Sequence, residues 1–188
     1  MWEAILWISC AHVCVWRDLN VIYLPSSGFP LAFVCLFSMW MCELFPKSIY
    51  TFQGFSFIHF ICMTICVDVI QTYIHRSLHR TRIKRLYLAH ARHHIHIKPT
   101  PKDSFDTAYV DAALQLVVPI IISIWLIKPD RVTIQIFGAF YSFWLQFIHS
   151  DPAIDYPFFD KVGLVTPKYH HAHHKTPMSH YAHIFQWC

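Results

Sequence analysis

Nine histidines in this chain are spaced as metal ligands. His75 and His79 stand four residues apart, and His90, His93 and His94 follow as His-x-x-His-His. His170, His173 and His174 repeat that spacing, and His149 sits at the end of an apolar run. Imidazole is the commonest side-chain metal ligand, and a four-residue spacing aims two of them from one helical face. On one continuous helix the first five would fall at about 0°, 40°, 60°, 0° and 100° around the axis, all on one face. Yet His75 and His94 would then stand roughly 28 Å apart along it, further than one or two ions reach. Either the chain breaks and folds back, or there are two separate sites. The preferred reading is a helix from Asp68 through His79 that ends near Thr81, with His90, His93 and His94 returning on a second helical piece. His149, His170, His173 and His174 then close the other side. Four or five ligands saturate one ion, so nine imply two metals.

The elements that must position these residues are apolar. The 188-residue chain is 55% hydrophobic, 17% aromatic and 14% charged, with a mean hydropathy of +0.37, which points to an integral membrane protein. A net charge of +4 is too small and scattered for a nucleic-acid surface. Twelve of the fifteen histidines lie in two windows, 75–96 and 170–183. Apolar runs occupy residues 1–16, 31–45, 52–74, 112–127 and 132–148. The first is short for a span and reads equally as an interfacial helix. Lys128-Pro-Asp-Arg131 is the turn of a helical hairpin. The fold expected is all-α: about four transmembrane or re-entrant helices carrying a histidine-rich cytosolic cap. It forms a single domain over 1–188, with N-terminal apolar helices over 1–67 and the histidine region over 68–188. With both windows on one side of the membrane, that side holds 12 of the 15 lysines and arginines, which makes it cytosolic by the positive-inside rule. Six of the seven cysteines lie in apolar runs without a Cys-x-x-Cys pair and read as buried, inert thiols.

The motifs His75-x-x-x-His79, His90-x-x-His93-His94 and His170-x-x-His173-His174 resemble the histidine boxes of the membrane fatty acid hydroxylase/sterol desaturase superfamily. The surrounding text is similar too: Asp68 ahead of Tyr73-Ile-His75-Arg76, Thr166-Pro167-Lys-Tyr-His170, and His180-Tyr181-Ala-His-Ile-Phe185. The resemblance covers residues 68–187. It implies a non-haem di-iron centre that uses O2 and two electrons to hydroxylate, or to desaturate, a lipid such as a fatty acyl chain, sphingoid base or sterol. His75, His79, His90, His93, His94, His149, His170, His173 and His174 become the ligands. The eight in the three boxes form the catalytic centre. It also implies a cytochrome b5-type or NAD(P)H-linked electron donor, and the endoplasmic reticulum in a eukaryote or the inner membrane in a bacterium. Two departures from the pattern stand out. Ala182 replaces the usual glycine, and Trp187-Cys188 stands where Trp-Asp is usual, so the chain is expected to lack the family's usual C-terminal end. Iron suits such chemistry because breaking an unactivated C–H bond needs a metal with an accessible redox step, which zinc lacks.

Around the ligands, Asp68 lies seven residues before His75 on the same helical face. A carboxylate in an apolar segment is costly, and orienting a ligand histidine is its expected role. Gln146, His171 and His180 are expected to support the centre without ligating. His12 and His59, isolated in apolar runs, are expected to be hydrogen-bonded core residues. The phenylalanines at 52, 55, 57, 60, 137, 140, 143 and 147 read as lipid contact and core packing. The basic run 80–92 reads as charge facing anionic headgroups or an acidic electron donor. A metal transporter or other non-catalytic metal-binding membrane protein is the rival reading, but it would place ligands through the bilayer midplane. A bis-histidine haem protein would need histidine pairs on facing spans.

Overall fold

Helix boundaries fall where the side chains dictate them. The computed structural model describes residues 28–187, so the run at 1–16 and His12 lie outside the described residues. Helix α1, Gly28–Met41, leads to a 3-10 turn at Lys47–Tyr50. Helix α2 is Phe57–Arg80; the Ser56 hydroxyl caps it by accepting from the His59 N–H at 3.3 Å. It stops at Thr81, whose backbone is extended (φ −66°, ψ 140°) and whose hydroxyl accepts from the Ile83 N–H. A short helix α3, Lys84–Ala91, then turns back and passes into a 3-10 turn at His93–Ile95. The break expected near Thr81 is there.

Pro101–Phe105 forms another 3-10 turn, closed by a Thr100/Asp103 capping box. Helix α4, Tyr109–Ile127, contains a π-helical turn at Ala113–Val117. It ends at Lys128, which takes the left-handed conformation (φ 52°). Asp130 caps helix α5, Arg131–Ile148, by accepting from the N–H groups of Val132 (2.9 Å) and Thr133 (3.1 Å). The turn expected at 128–131 is thus observed, but α4 and α5 pack on α2 rather than along one another. Helix α6, Pro157–Lys161, precedes α7, Pro167–Lys175, which carries Pro at its first position and Thr166 at its cap.

The described residues fold as helices with a single isolated antiparallel bridge, Leu164 to Phe185. Helix α2 packs along α4 and α5, and α7 packs on the end of α5. Met63, Val67, Phe137, Tyr141, Leu145 and Ile148 make the core between them. Phe60 meets Phe137 and Phe140 edge-on at centroid separations of 6.4 and 5.3 Å, while Phe52, Phe57 and Phe143 face outward. Two described helices, α2 and α4, are long and apolar enough to cross a membrane. The described part of α1 holds 14 residues, and α5 carries Gln135 and Gln146 on the face opposite its buried Thr133. Two expectations for apolar-run residues change. Cys42 is exposed, and Cys35, Cys62 and Cys66 are half-buried free thiols rather than buried ones. His59 is only half-buried, and its Nδ1 meets no partner among the described residues.

Candidate metal centre

All nine ligand candidates meet where α2, α3, α5 and α7 end. They form two groups: His75, His79, His90, His94 and His173 in one, and His93, His149, His170 and His174 in the other. His75 and His79 occupy the last two turns of α2, so their four-residue spacing puts both rings on the inner face. Ending α2 at Thr81 lets α3 bring His90 back, with Nε2 2.8 Å from that of His79. His94 Nε2 lies 3.1 Å from that of His90, and His173 Nε2 lies 2.9 Å from that of His75. In the second group His149, capping the C-terminus of α5, has Nε2 3.3 Å from that of His93 and 3.1 Å from that of His170. His174 Nε2 lies 3.2 Å from that of His170.

Hydrogen bonding fixes which ring nitrogen is bare. The Nδ1–H of His75 donates to the Tyr181 carbonyl at 2.6 Å, and that of His173 donates to the Ser179 carbonyl at 2.6 Å. A neutral imidazole has one N–H, so the two Nε2 atoms facing each other at 2.9 Å are both lone pairs. A cation shared between them relieves that repulsion. A proton serves poorly, because burial and then surrounding groups, mostly imidazoles, hold His173 down at about 2. The same holds in the second group. His149 Nδ1–H donates to Leu145 O at 2.6 Å and His93 Nδ1–H to Asp106 O at 3.4 Å, leaving their Nε2 atoms bare and 3.3 Å apart. Burial, followed by neighbouring imidazoles, holds His93 at about 4 and pushes His94, His149, His170 and His174 below the usual histidine range. Separations of 2.8–3.3 Å between the facing imidazole nitrogens suit donors sharing one ion with bonds of about 2.1 Å. Both groups therefore fit a metal.

The supporting residues differ from those expected. Asp68 touches no histidine ring. Its carboxylate accepts from the backbone N–H groups of His183, Ile184 and Phe185 and from Trp187 Nε1, because segment 179–187 folds against α2 at that level and supplies four donors. Gln146 is exposed and donates to the Ser142 carbonyl of its own helix, and it belongs to neither histidine group. His171 is buried but belongs to neither histidine group; it lines a cavity of about 520 Å³ beside His149, with Lys98, Asp151 and Lys175. His180 packs its ring on Tyr169 at 4.3 Å and has a left-handed backbone (φ 60°). His96 pairs with Asp106 at 3.1 Å nearer the surface.

In their place stand residues the spacing did not single out. Asp111, buried near the start of α4, holds His90 Nδ1 at 3.0 Å and accepts from the Thr107 hydroxyl and from Gln115 Nε2 (2.7 Å). This carboxylate–histidine pair fixes the ring and its tautomer. Gln71 Nε2 donates to Gln115 Oε1 at 3.1 Å and to His183 Nε2 at 3.0 Å. His183, held at about 3 chiefly by burial, packs its ring on those of His75 and His170. A polar residue inside an apolar run was the available signal for Gln115 and Gln71, as it was for Asp68, whereas Asp111 stands just before its run.

The chain is 31% identical over 163 residues to a protein of Phaeodactylum tricornutum (strain CCAP 1055/1) named alternative squalene epoxidase; the match takes in 85% of this chain and 47% of that protein. The chain thus spans about half the length of that curated relative. No solved structure matches it. The fatty acid hydroxylase family profile matches residues 60–188, a stretch that holds every one of the nine clustered histidines, and the chain belongs to that family.

Proposed function

We propose that this protein is a membrane lipid oxygenase whose two histidine groups hold two non-haem irons, and that it transfers one oxygen atom from O2 to an apolar lipid. The observation that carries the proposal is the set of nine buried or half-buried imidazoles in two groups, with bare nitrogens facing one another where a shared cation relieves the repulsion. His75, His79, His90, His94 and His173 would hold one iron, and His93, His149, His170 and His174 the other. The irons supply the redox chemistry that imidazole and carboxylate lack. The reaction consumes O2, two electrons and two protons; one oxygen enters the lipid and the other leaves as water. Presenting a C–H bond yields an alcohol, and presenting a double bond yields an epoxide. The relative's name makes squalene the first polyene to test, beside sterols, sphingoid bases and fatty acyl chains.

The chain's own residues set up that chemistry. Asp111 and the carbonyls of Leu145, Ser179 and Tyr181 keep four ring orientations fixed, so the ligand set is pre-organised. The apolar walls of α2, α4 and α5 exclude water from the membrane side of the centre. A cavity of about 30 Å³ touches His75, His90, His93 and His149 together, and so adjoins both groups. The larger cavity is lined by Pro99, Pro101 and Pro152 as well as by Lys98, Asp151 and Lys175. In this reading the histidine side faces the cytosol. The exposed Arg76, Arg82, Lys84 and Arg85 meet anionic headgroups or an acidic electron donor there.

The test is oxygen incorporation. Membranes containing the protein, a reductant system and 18O2 are expected to yield lipid carrying one 18O, with squalene, sterol, sphingoid and acyl lipids assayed in parallel. Oxidised lipid that carries oxygen from water, or no oxidation of any of these by an iron-loaded protein, contradicts the proposal.

A further inference from the structure

The two histidine groups are tied to the rest of the chain in different ways. In the five-histidine group, two ring orientations are set by segment 179–187: Ser179 O takes the His173 Nδ1–H and Tyr181 O takes the His75 Nδ1–H, both at 2.6 Å. The two carbonyls flank His180, whose left-handed backbone (φ 60°) is uncommon for a residue with a Cβ. Just beyond them the segment is clasped by Asp68. Oδ1 accepts from the N–H of His183 at 3.1 Å and Ile184 at 2.9 Å, and Oδ2 accepts from the N–H of Phe185 at 2.9 Å and Trp187 Nε1 at 2.6 Å. The carboxylate is fully buried in the middle of α2, two helical turns before His75 on the same helix. One helix thus carries both a ligand of the five-histidine group and the clasp that holds that ligand's acceptor.

The four-histidine group has no such link. His149 donates to Leu145 of its own helix and His93 to Asp106. The Nδ1 atom of His170 has no hydrogen-bond partner among the described residues. The His183 ring touches both groups, but its ring nitrogens face Gln71 and Tyr141.

We infer that Asp68 is a positioning residue for one of the two metals only. Acting through segment 179–187, it fixes His75 and His173, and so sets the affinity of the five-histidine group without setting that of the four-histidine group. The inference rests on the two-metal reading above. Supporting groups of this kind typically govern about 10- to 100-fold in metal affinity.

The test is anaerobic Fe(II) titration of the full chain in lipid nanodiscs, with metal counted after desalting and affinities obtained by chelator competition. Wild type is expected to hold two ions. Asp68→Asn, which replaces one acceptor oxygen by a donor, is expected to keep one ion at wild-type affinity and to bind the other about 10- to 100-fold more weakly. In a His174→Ala background, which damages the four-histidine group, Asp68→Asn is expected to weaken the one tight ion that remains. Trp187→Phe removes a single donor and carries the same test with a smaller shift should Asp68→Asn lose its helical circular dichroism. Both ions weakened together, or both kept at wild-type affinity, in a folded variant overturns the inference. A wild-type protein that holds fewer than two ions overturns the two-metal reading itself.

Discussion

At five of the nine clustered histidines a named acceptor takes the Nδ1 proton: Tyr181, Asp106, Leu145 and Ser179 through carbonyls, and Asp111 through its carboxylate. That division of the ring into a held nitrogen and a bare one leads directly to predictions. His173→Ala removes a nitrogen 2.9 Å from that of His75 and 3.3 Å from that of His79. It is expected to abolish lipid oxidation while the helical circular dichroism persists, and turnover above a tenth of wild type would remove the proposed site. Asp111→Asn keeps the shape but weakens the hold on His90; a 10- to 100-fold loss of metal affinity is expected, measured by chelator competition. Gln146→Ala is the matched control. Its side chain points outward, and activity within about twofold of wild type is expected. The histidines themselves were legible from spacing, because i, i+3 and i+4 intervals are the helix period. The supports were not, because a carboxylate's partner depends on which element folds beside it. Asp68 lies on the face of His75 as its position predicts, yet segment 179–187 lies between them, and no local pattern announces that.

Element boundaries were legible wherever one residue type forces them. The turn at 128–131 and the stop at Thr81 stand where the sequence places them. The π-helical turn at Ala113–Val117 carries no such mark. It lies within helix α4, in the stretch from which Asp111 and Gln115 both reach His90, a role that π-turns often take at functional sites. The start of that helix is also three residues earlier than the apolar run suggests, which is why Asp111 escaped notice. At this scale Asp130 offers the clearest test. Its buried carboxylate caps α5 with two backbone N–H bonds and accepts the Thr133 hydroxyl at 2.6 Å. Asp130→Ala is expected to cost about 1–2 kcal/mol, read as a lower melting temperature in detergent with metal content unchanged. An unchanged melting temperature would contradict the capping role.

For the molecule as a whole, burying so many imidazoles couples folding to pH. His93 is held at about 4 and His183 at about 3, against 6.5 for an unhindered histidine. As pH falls below 6.5 the unfolded chain takes up protons that the folded chain refuses. Stability is therefore fully present above that value and lost progressively as pH drops toward 4. The metal-free protein is expected to melt at a lower temperature at pH 5.5 than at pH 7.5; a melting temperature that rises on acidification would contradict the buried neutral imidazoles. Ions held by the same bare nitrogens would add stability to the folded state by mass action. The central claim is that two such sets of nitrogens hold two irons, and counting metal tests it most directly. Full-length protein purified from iron-replete cells is predicted to carry about two irons per chain and no haem absorbance band. Zinc alone, or a haem band, would contradict it.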